Sequence, residues 1–178
     1  MTTSQPPDFS WITQGLAVGG SFSPSHVPML AREHGIRAVV DLRGEDRDDE
    51  VLLRRHGITL LHLPTPDMCG VDAVHIDRGV AFACARLERH EPVLVHCEHG
   101  IGRSATLALC VMVCRGAAPL DALSQMKRQR AIVSPSPAQF ACWSEWLAGH
   151  RARRGAAWAV PDFEAFGAIA YRTDGAGT

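Results

Sequence analysis

The chain has 178 residues, 46% of them hydrophobic, enough to bury one sizeable core and too few for two ordinary domains. A formal charge of −1 at pH 7 argues against a surface built to coat nucleic acid or an anionic membrane, since both reward a strong positive excess. The six cysteines form no C-x-x-C pair, and three lie in apolar stretches where a reduced thiol packs as a small hydrophobe, so the expected setting is reducing and cytoplasmic.

The first residues, Met1 to Pro7, have neither the basic region nor the apolar run of a secretory signal, and 1–8 are expected to be a flexible N-terminus. Residues 16–18, 37–42, 58–63 and 92–96 are short apolar, β-branched runs and are predicted strands. Helical patterns at 28–34, 49–56 and 72–90 separate most of them, the first two stopped by Gly35 and Gly57. After His96 the strand signal ends, and 103–115, 120–130 and 137–150 all carry helical patterns. The alternation predicts an α/β fold: a single domain over 9–150, with a central, largely parallel sheet flanked by helices and a helical C-terminal half covering one face.

The longest apolar run, 105–114, is ten residues, half of the roughly 20 needed to cross a bilayer, so it is predicted to be a buried core helix. Residues 151–178 open on Arg151, Arg153 and Arg154, as a loose tail would, yet carry Trp158, Phe163, Phe166 and Tyr171, as a docked segment would. Both readings stay open. The acidic run from Glu45 to Glu50 is expected to be a solvated surface.

Chemistry becomes legible at His96-Cys97-Glu98-His99-Gly100-Ile101-Gly102-Arg103-Ser104. A bare C-x5-R spacing is expected roughly 0.6 times by chance in a chain with this much Cys and Arg, so the spacing alone says little. Its context says more. Cys97 follows a buried-type strand, two glycines interrupt the loop, and Arg103-Ser104 opens an apolar helix; such a strand-loop-helix unit turns backbone N–H groups inward and cradles a tetrahedral dianion. The residues expected to line that cradle are Glu98, His99, Gly100, Ile101, Gly102 and Arg103. Beside Arg103 and a helix N-terminus, Cys97 should ionise well below an ordinary thiol and act as nucleophile. Arg103 offers a planar fork for two phosphate oxygens, and Ser104 can donate to the sulfur and help it leave. His96 is expected to support the cysteine's geometry from the strand end. Glu98 and His99 should face outward, with Glu98 weakening the local positive field.

This segment resembles the HCxxGxxRS/T signature of cysteine-dependent phosphatases of the dual-specificity and protein tyrosine phosphatase family, in particular the small atypical type. It matches at every signature position, and the Arg-over-Lys and Ala-rich composition has a bacterial look. The resemblance spans about 9–149, strongest at 96–104. It implies a general-acid aspartate on the loop after the preceding strand. Asp67, thirty residues before Cys97 in Leu63-Pro64-Thr65-Pro66-Asp67, fits that role. Asp72 is the rival, but it stands where an N-cap for the 73–90 helix is needed, and Asp77 falls within that helix. The 133–139 segment resembles the loop overlying the site in related phosphatases. Gln139 would there position water, although Ser136-Pro137 also has the form of an N-cap followed by N1 proline. Asp41-Leu42-Arg43 resembles a rim segment of the family. Cys69, two residues past Asp67, is a candidate resolving thiol.

The function so implied is hydrolysis of phosphotyrosine, with phosphoserine and phosphothreonine as further candidates, through a cysteinyl-phosphate and without metal or cofactor. The partner is a phosphorylated protein or a small phosphoester, with no nucleic acid and no membrane, and the chain is expected to be a monomer. Other readings compete, among them a pseudophosphatase that binds phosphoproteins without turnover, which would lose Cys, Arg or the acid, all present here. His99-Gly100 resembles the HCxHGxxR loop of RNA 5′-phosphatases. A lipid or inositol phosphatase should carry extra basic residues where this loop has Glu98. A rhodanese-like sulfurtransferase also uses a cysteine in an anion loop but needs no nearby aspartate.

Overall fold

The structure, a computed structural model, describes residues 5–172. One five-stranded sheet runs in the order β1-β2-β5-β3-β4, from β1 (Phe9–Thr13), β2 (Leu16–Gly19), β3 (Ala38–Arg43), β4 (Thr59–Thr65) and β5 (Val93–His96). All neighbours are parallel except β1, which pairs antiparallel with β2 at the edge. Among the described residues seven α-helices surround it: α1 (Val27–Arg32), α2 (Glu50–Arg55), α3 (Ala73–Glu88), α4 (Arg103–Cys114), α5 (Pro119–Gln129), α6 (Pro137–Arg154) and α7 (Phe163–Ala170). No helix among the described residues is long and apolar enough to cross a membrane.

The period of two along the strands divides the core into two layers. Val18, Val40 and Val95 point into the larger cluster, where Leu107 and Leu109 of α4 and Trp143 of α6 meet them. Ala17, Val39 and Leu94 point the other way, onto Val27 and Leu30 of α1 and Leu53 of α2. The helices from α3 onward therefore cover one face. Within them α4 is central, buried from Arg103 through Val113, as its unbroken apolar sequence requires.

The chain ends differ from their sequence-based outline. Residue 150 is not a boundary, because α6 continues to Arg154 and stops at Gly155, whose left-handed φ of +63° makes the C-cap. Beyond it the docked reading describes α7: Phe166 and Ala170 are fully buried, and the Phe166 ring lies 4.8 Å from Phe140 and 5.8 Å from Trp143. Tyr171 Oη donates to Pro135 O at 2.7 Å, and Lys127 Nζ donates to the carbonyls of Val133 and Ala170, both at 2.8 Å. Residues 173–178 and 1–4 lie outside the described residues. Residues 5–8 are not uniformly loose: Asp8 O accepts from Gly20 N at 2.9 Å, and the Asp8 carboxylate pairs with Arg130.

Candidate active site

The parallel strands β2, β3, β4 and β5 deliver Gly19, Arg43, Thr65 and His96 to one edge of the sheet, where an open α/β sheet places its ligand crevice. There residues 97–102 bridge β5 to α4. The loop's carbonyls are taken up from outside. Glu98 O accepts from Ser21 N (2.9 Å), His99 O from Arg130 Nη2 (3.2 Å), Gly100 O from Arg130 Nε (2.8 Å) and Ile101 O from Ser134 N (2.9 Å). With the carbonyls fixed outward, the amides face the interior, and the amides of Gly100 and Ser104 reach Cys97.

Two glycines are required by space. Gly100 has φ +65°, and a Cβ there would lie 2.6 Å from both Gly19 O and Arg130 Nη2. At Gly102 a Cβ would lie 2.9 Å from Gln139 Nε2. Gly100→Ala is expected to lower the thermal midpoint by roughly 2–12 °C, from an overpacking cost of about 1–3 kcal/mol in a domain of this size. A calorimetric midpoint equal to the parent's would show that the Arg130 clamp yields without cost.

Cys97 is buried, and its Sγ lies 3.3 Å from Ser104 Oγ. Burial opposes ionisation, but the Ser104 hydroxyl, the Ser104 and Gly100 amides and the Arg103 charge outweigh it, so the thiol is shifted below its ordinary range. Behind it, His96 is completely buried with a hydrogen bond at each ring nitrogen: Nδ1 meets Cys97 O at 3.2 Å and Nε2 meets Asp48 Oδ2 at 2.7 Å. Both partners are acceptors, which calls for the doubly protonated ring. Burial disfavours that charge, yet the bond to Asp48 and the carboxylates of Asp48 and Asp41 raise the His96 pKa. Asp41 and Asp48 are themselves bridged by Arg43 Nη2, at 3.0 and 2.8 Å. Asp41, Asp48 and His96 have ligand atoms within 4.8 Å of one another, as a metal site would, but Arg43 already supplies the cation between the two carboxylates.

The acidic run is largely solvent-exposed, as expected, but three of its carboxylates also bond cations of the site. Glu45 grips Arg103 end-on, Oε1 on Nη2 and Oε2 on Nη1, both 2.7 Å. This bond holds the Glu45 carboxyl down at about 2. Asp46 bonds Arg43 at 3.0 Å, and the Asp48 side chain is only 5% exposed. Composition marked the run as hydrophilic; what ties Glu45, Asp46 and Asp48 to the site is three partners contributed by β3, β5 and α4: Arg43, His96 and Arg103.

Arg103 is 1% exposed, with Nη1 also donating to Thr65 O at 2.8 Å. Asp67 Oδ1 stands 3.3 Å from its Nη2, on a side chain 62% exposed at the lip. Arg103 Nε is buried with no partner among the described residues. Nε is thus the nitrogen of the guanidinium left without a partner, beside an Nη2 that meets Glu45 and Asp67.

The next turn is tied to α6. Met68, left-handed at φ +61°, donates its N–H to Asp67 Oδ1 (2.9 Å), while Ser136 Oγ donates to Met68 O (2.9 Å). Gln139 completes the cap that Ser136-Pro137 suggested and lies beside the loop. Its Oε1 accepts from Ser136 N at 2.8 Å in a capping box, and its amide group packs against Gly102. Asp72 caps α3, accepting from Val74 N at 2.8 Å, and Asp77 accepts from Trp146 Nε1 at 3.0 Å. Glu98 is half-exposed, accepting from Ser21 Oγ at 3.3 Å; His99 is exposed. Cys69 is exposed in the turn after Asp67, and all six cysteines are free.

Sequence reasoning did not find Arg130, Asp8, Glu45 or Asp48 as parts of this site. Arg130 was legible only as the end of α5, and its loop partners lie about thirty residues away along the chain.

A parallel sheet with a thiol at the mouth of β5, ringed by amides and backed by an arginine fork, is the architecture of the cysteine-dependent phosphatases. The model of the family described as "Polymorphic toxin system, DSP-PTPase phosphatase" matches residues 24–117. The chain belongs to that family, and so to the dual-specificity protein tyrosine phosphatases. Asp67, Cys97 and Arg103 fall inside the match, whereas Arg130, Gln139, α6 and α7 lie beyond it.

The chain is 32% identical over 92 residues to rat phosphatidylglycerophosphatase and protein-tyrosine phosphatase 1, a match covering 51% of this chain and 48% of that protein. It is 39% identical over 61 residues to human tyrosine-protein phosphatase non-receptor type 4, covering 31% of this chain and 7% of that one. It thus spans under half the length of these curated relatives. Among solved structures, PTPMT1 in complex with PI(5)P superposes with a TM-score of 0.76 at 21% identity, over 82% of this chain and 98% of that one. The active form of Tk-PTP superposes with a TM-score of 0.71 at 24% identity, over 79% and 96%. These likenesses establish the fold.

Proposed function

We propose that the chain hydrolyses phosphomonoesters of proteins, phosphotyrosine first and phosphoserine or phosphothreonine with it, through a cysteinyl-phosphate on Cys97. What carries this reading is the buried, unpartnered Nε of Arg103 beside a thiol whose ionisation four neighbouring groups favour. A phosphate dianion on the Nε/Nη2 edge would satisfy that donor while its remaining oxygens meet the loop amides. Relatives named as tyrosine-protein phosphatases and as a phosphatidylglycerophosphatase support a phosphomonoester substrate.

In the first step the Cys97 thiolate forms a bond to phosphorus as the P–O bond breaks. The leaving oxygen takes the electron pair, and a proton from Asp67 neutralises it. In the second, a water oxygen attacks phosphorus, Asp67 carboxylate accepts its proton, the S–P bond breaks and Ser104 Oγ steadies the departing thiolate. Asp67 suits both steps because it stands 3.3 Å from Arg103 Nη2, on the edge where phosphate binds. Gln139, packed against Gly102, suits placement of the water. Glu45, with its carboxyl held near 2 by Arg103, stays ionised and cannot supply the proton.

The test is Asp67→Asn. It should lower kcat by roughly 10²–10⁴ on phenolic phosphates of high leaving-group pKa, and much less on an activated aryl phosphate, measured by burst-phase kinetics. Asp72→Asn should leave that leaving-group dependence at the parent's value. The opposite pattern would move the acid to Asp72.

A further inference from the structure

The lip of the site carries charge of one sign at its surface. Four carboxyl groups touch the phosphate loop, its arginine or its clamp, and all are open to solvent: Glu45 (side chain 43% exposed), Glu98 (41%), Asp8 (64%) and Asp67 (62%), the last neutral while it holds the proton it donates, so the lasting charge is that of the other three. The three arginines beneath them, Arg43, Arg103 and Arg130, are at most 5% exposed, and each already bonds one or more of these or neighbouring carboxylates. Arg47, an exposed cation of the acidic segment, is bound to Glu50 at 2.9 Å. The donor without a partner lies deep: Arg103 Nε is buried, beside the loop amides that reach Cys97. An arriving molecule therefore finds a positive floor wide enough for one phosphoryl group, framed by negative walls.

From this arrangement, and resting on the reading of phosphate hydrolysis above, we propose that the substrate is a phosphopeptide segment with Lys or Arg flanking the phosphorylated residue. The scissile phosphate is served by the floor. Everything next to it meets carboxylates, which attract flanking cations and repel further anions. A headgroup with a second phosphate, or a phosphorylated residue set among Asp and Glu, brings like charge onto Glu98 and Glu45. Because the frame is solvent-exposed, its effect acts mainly on encounter and is screened by salt. Discrimination thus belongs in kcat/KM at low ionic strength, with kcat little affected.

The experiment uses the full chain with para-nitrophenyl phosphate, three phosphotyrosyl peptides identical except for Arg, Ala or Glu at the two flanking positions on each side, and vesicles containing phosphatidylinositol 5-phosphate. At low salt the Arg peptide should exceed the Glu peptide in kcat/KM by roughly 10–100-fold, the range of electrostatic steering. That ratio should shrink severalfold at ~0.5 M salt, where the Debye length falls well below the width of the lip. Glu98→Gln, which keeps the loop amide and removes one charge, should narrow the ratio whatever it does to the absolute rates. Equal turnover of the Arg and Glu peptides with para-nitrophenyl phosphate hydrolysed, or vesicle hydrolysis matching that of the Arg peptide, would overturn the charge proposal and leave phosphate hydrolysis standing. Failure on every substrate, para-nitrophenyl phosphate included, would overturn both.

Discussion

Cys97→Ser is expected to abolish turnover, a loss on the order of 10⁴–10⁶ as for other covalent nucleophiles, while vanadate or phosphate binding survives. The donors that favour the thiolate, Ser104 Oγ, two loop amides and the Arg103 charge, are tuned to a sulfur that ionises below its ordinary range. A serine hydroxyl remains protonated at neutral pH in the same setting, and the side-chain partner at the sulfur position among the described residues is the Ser104 hydroxyl, which is no base. The cradle itself is held by Arg130, Ser21 and Ser134 from outside and does not need the sulfur. In the parent, alkylation by iodoacetate should reach its plateau rate at a pH below that of an ordinary thiol. By contrast Cys84, pushed up to about 12 by burial and by the neighbouring Cys114, should remain unreactive across that range. Turnover retained by the serine variant would place the nucleophile elsewhere.

Arg103→Lys is expected to lower kcat by roughly 10³–10⁵ and to weaken phosphate binding, the worth of an arginine that stabilises a transferring phosphoryl group. The guanidinium performs two tasks at once. Its end edge bonds both oxygens of Glu45 and the Thr65 carbonyl, and its side edge, through Nε, faces the phosphate position. An ammonium is a single point without a second edge, so it can stay with Glu45 or turn to the substrate. Glu45 would then lose part of the bond that holds its carboxyl near 2, and a thermal melt run alongside separates that structural loss from the kinetic one. A lysine variant within tenfold of the parent would show that the loop amides alone carry the charge.

The phosphate loop was readable from the chain because its determinants are local: a strand, two glycines and a helix start within nine residues. The alternating strands and the buried α4 were legible for the same reason, since period and run length are properties of short windows. Edge strand β1 was not foreseen. Its Phe9 to Thr13 run is only five residues, half-exposed for most of its length, and it gains its identity from pairing with β2. The acidic segment is exposed as expected, and what went unseen is its bonding into the site. Glu45 and Asp48 carry the same charge as any surface run, and they become part of the site only because the fold brings Arg103 and His96 to them across 58 and 48 residues. Gln139 lies between these cases: its capping box is local, whereas its contact with Gly102 depends on how α6 packs.

Tyr171 is the chain's single tyrosine, and its hydroxyl rests on the carbonyl of Pro135, the residue just before Ser136, the N-cap of the capping box. That makes it a built-in spectroscopic observer of the catalytic rim. A fluorine placed on this one ring gives a single resonance whose shift registers the hydrogen bond to the 133–137 segment, so any change in that segment on adding phosphate is read without altering a residue of the Cys97 loop.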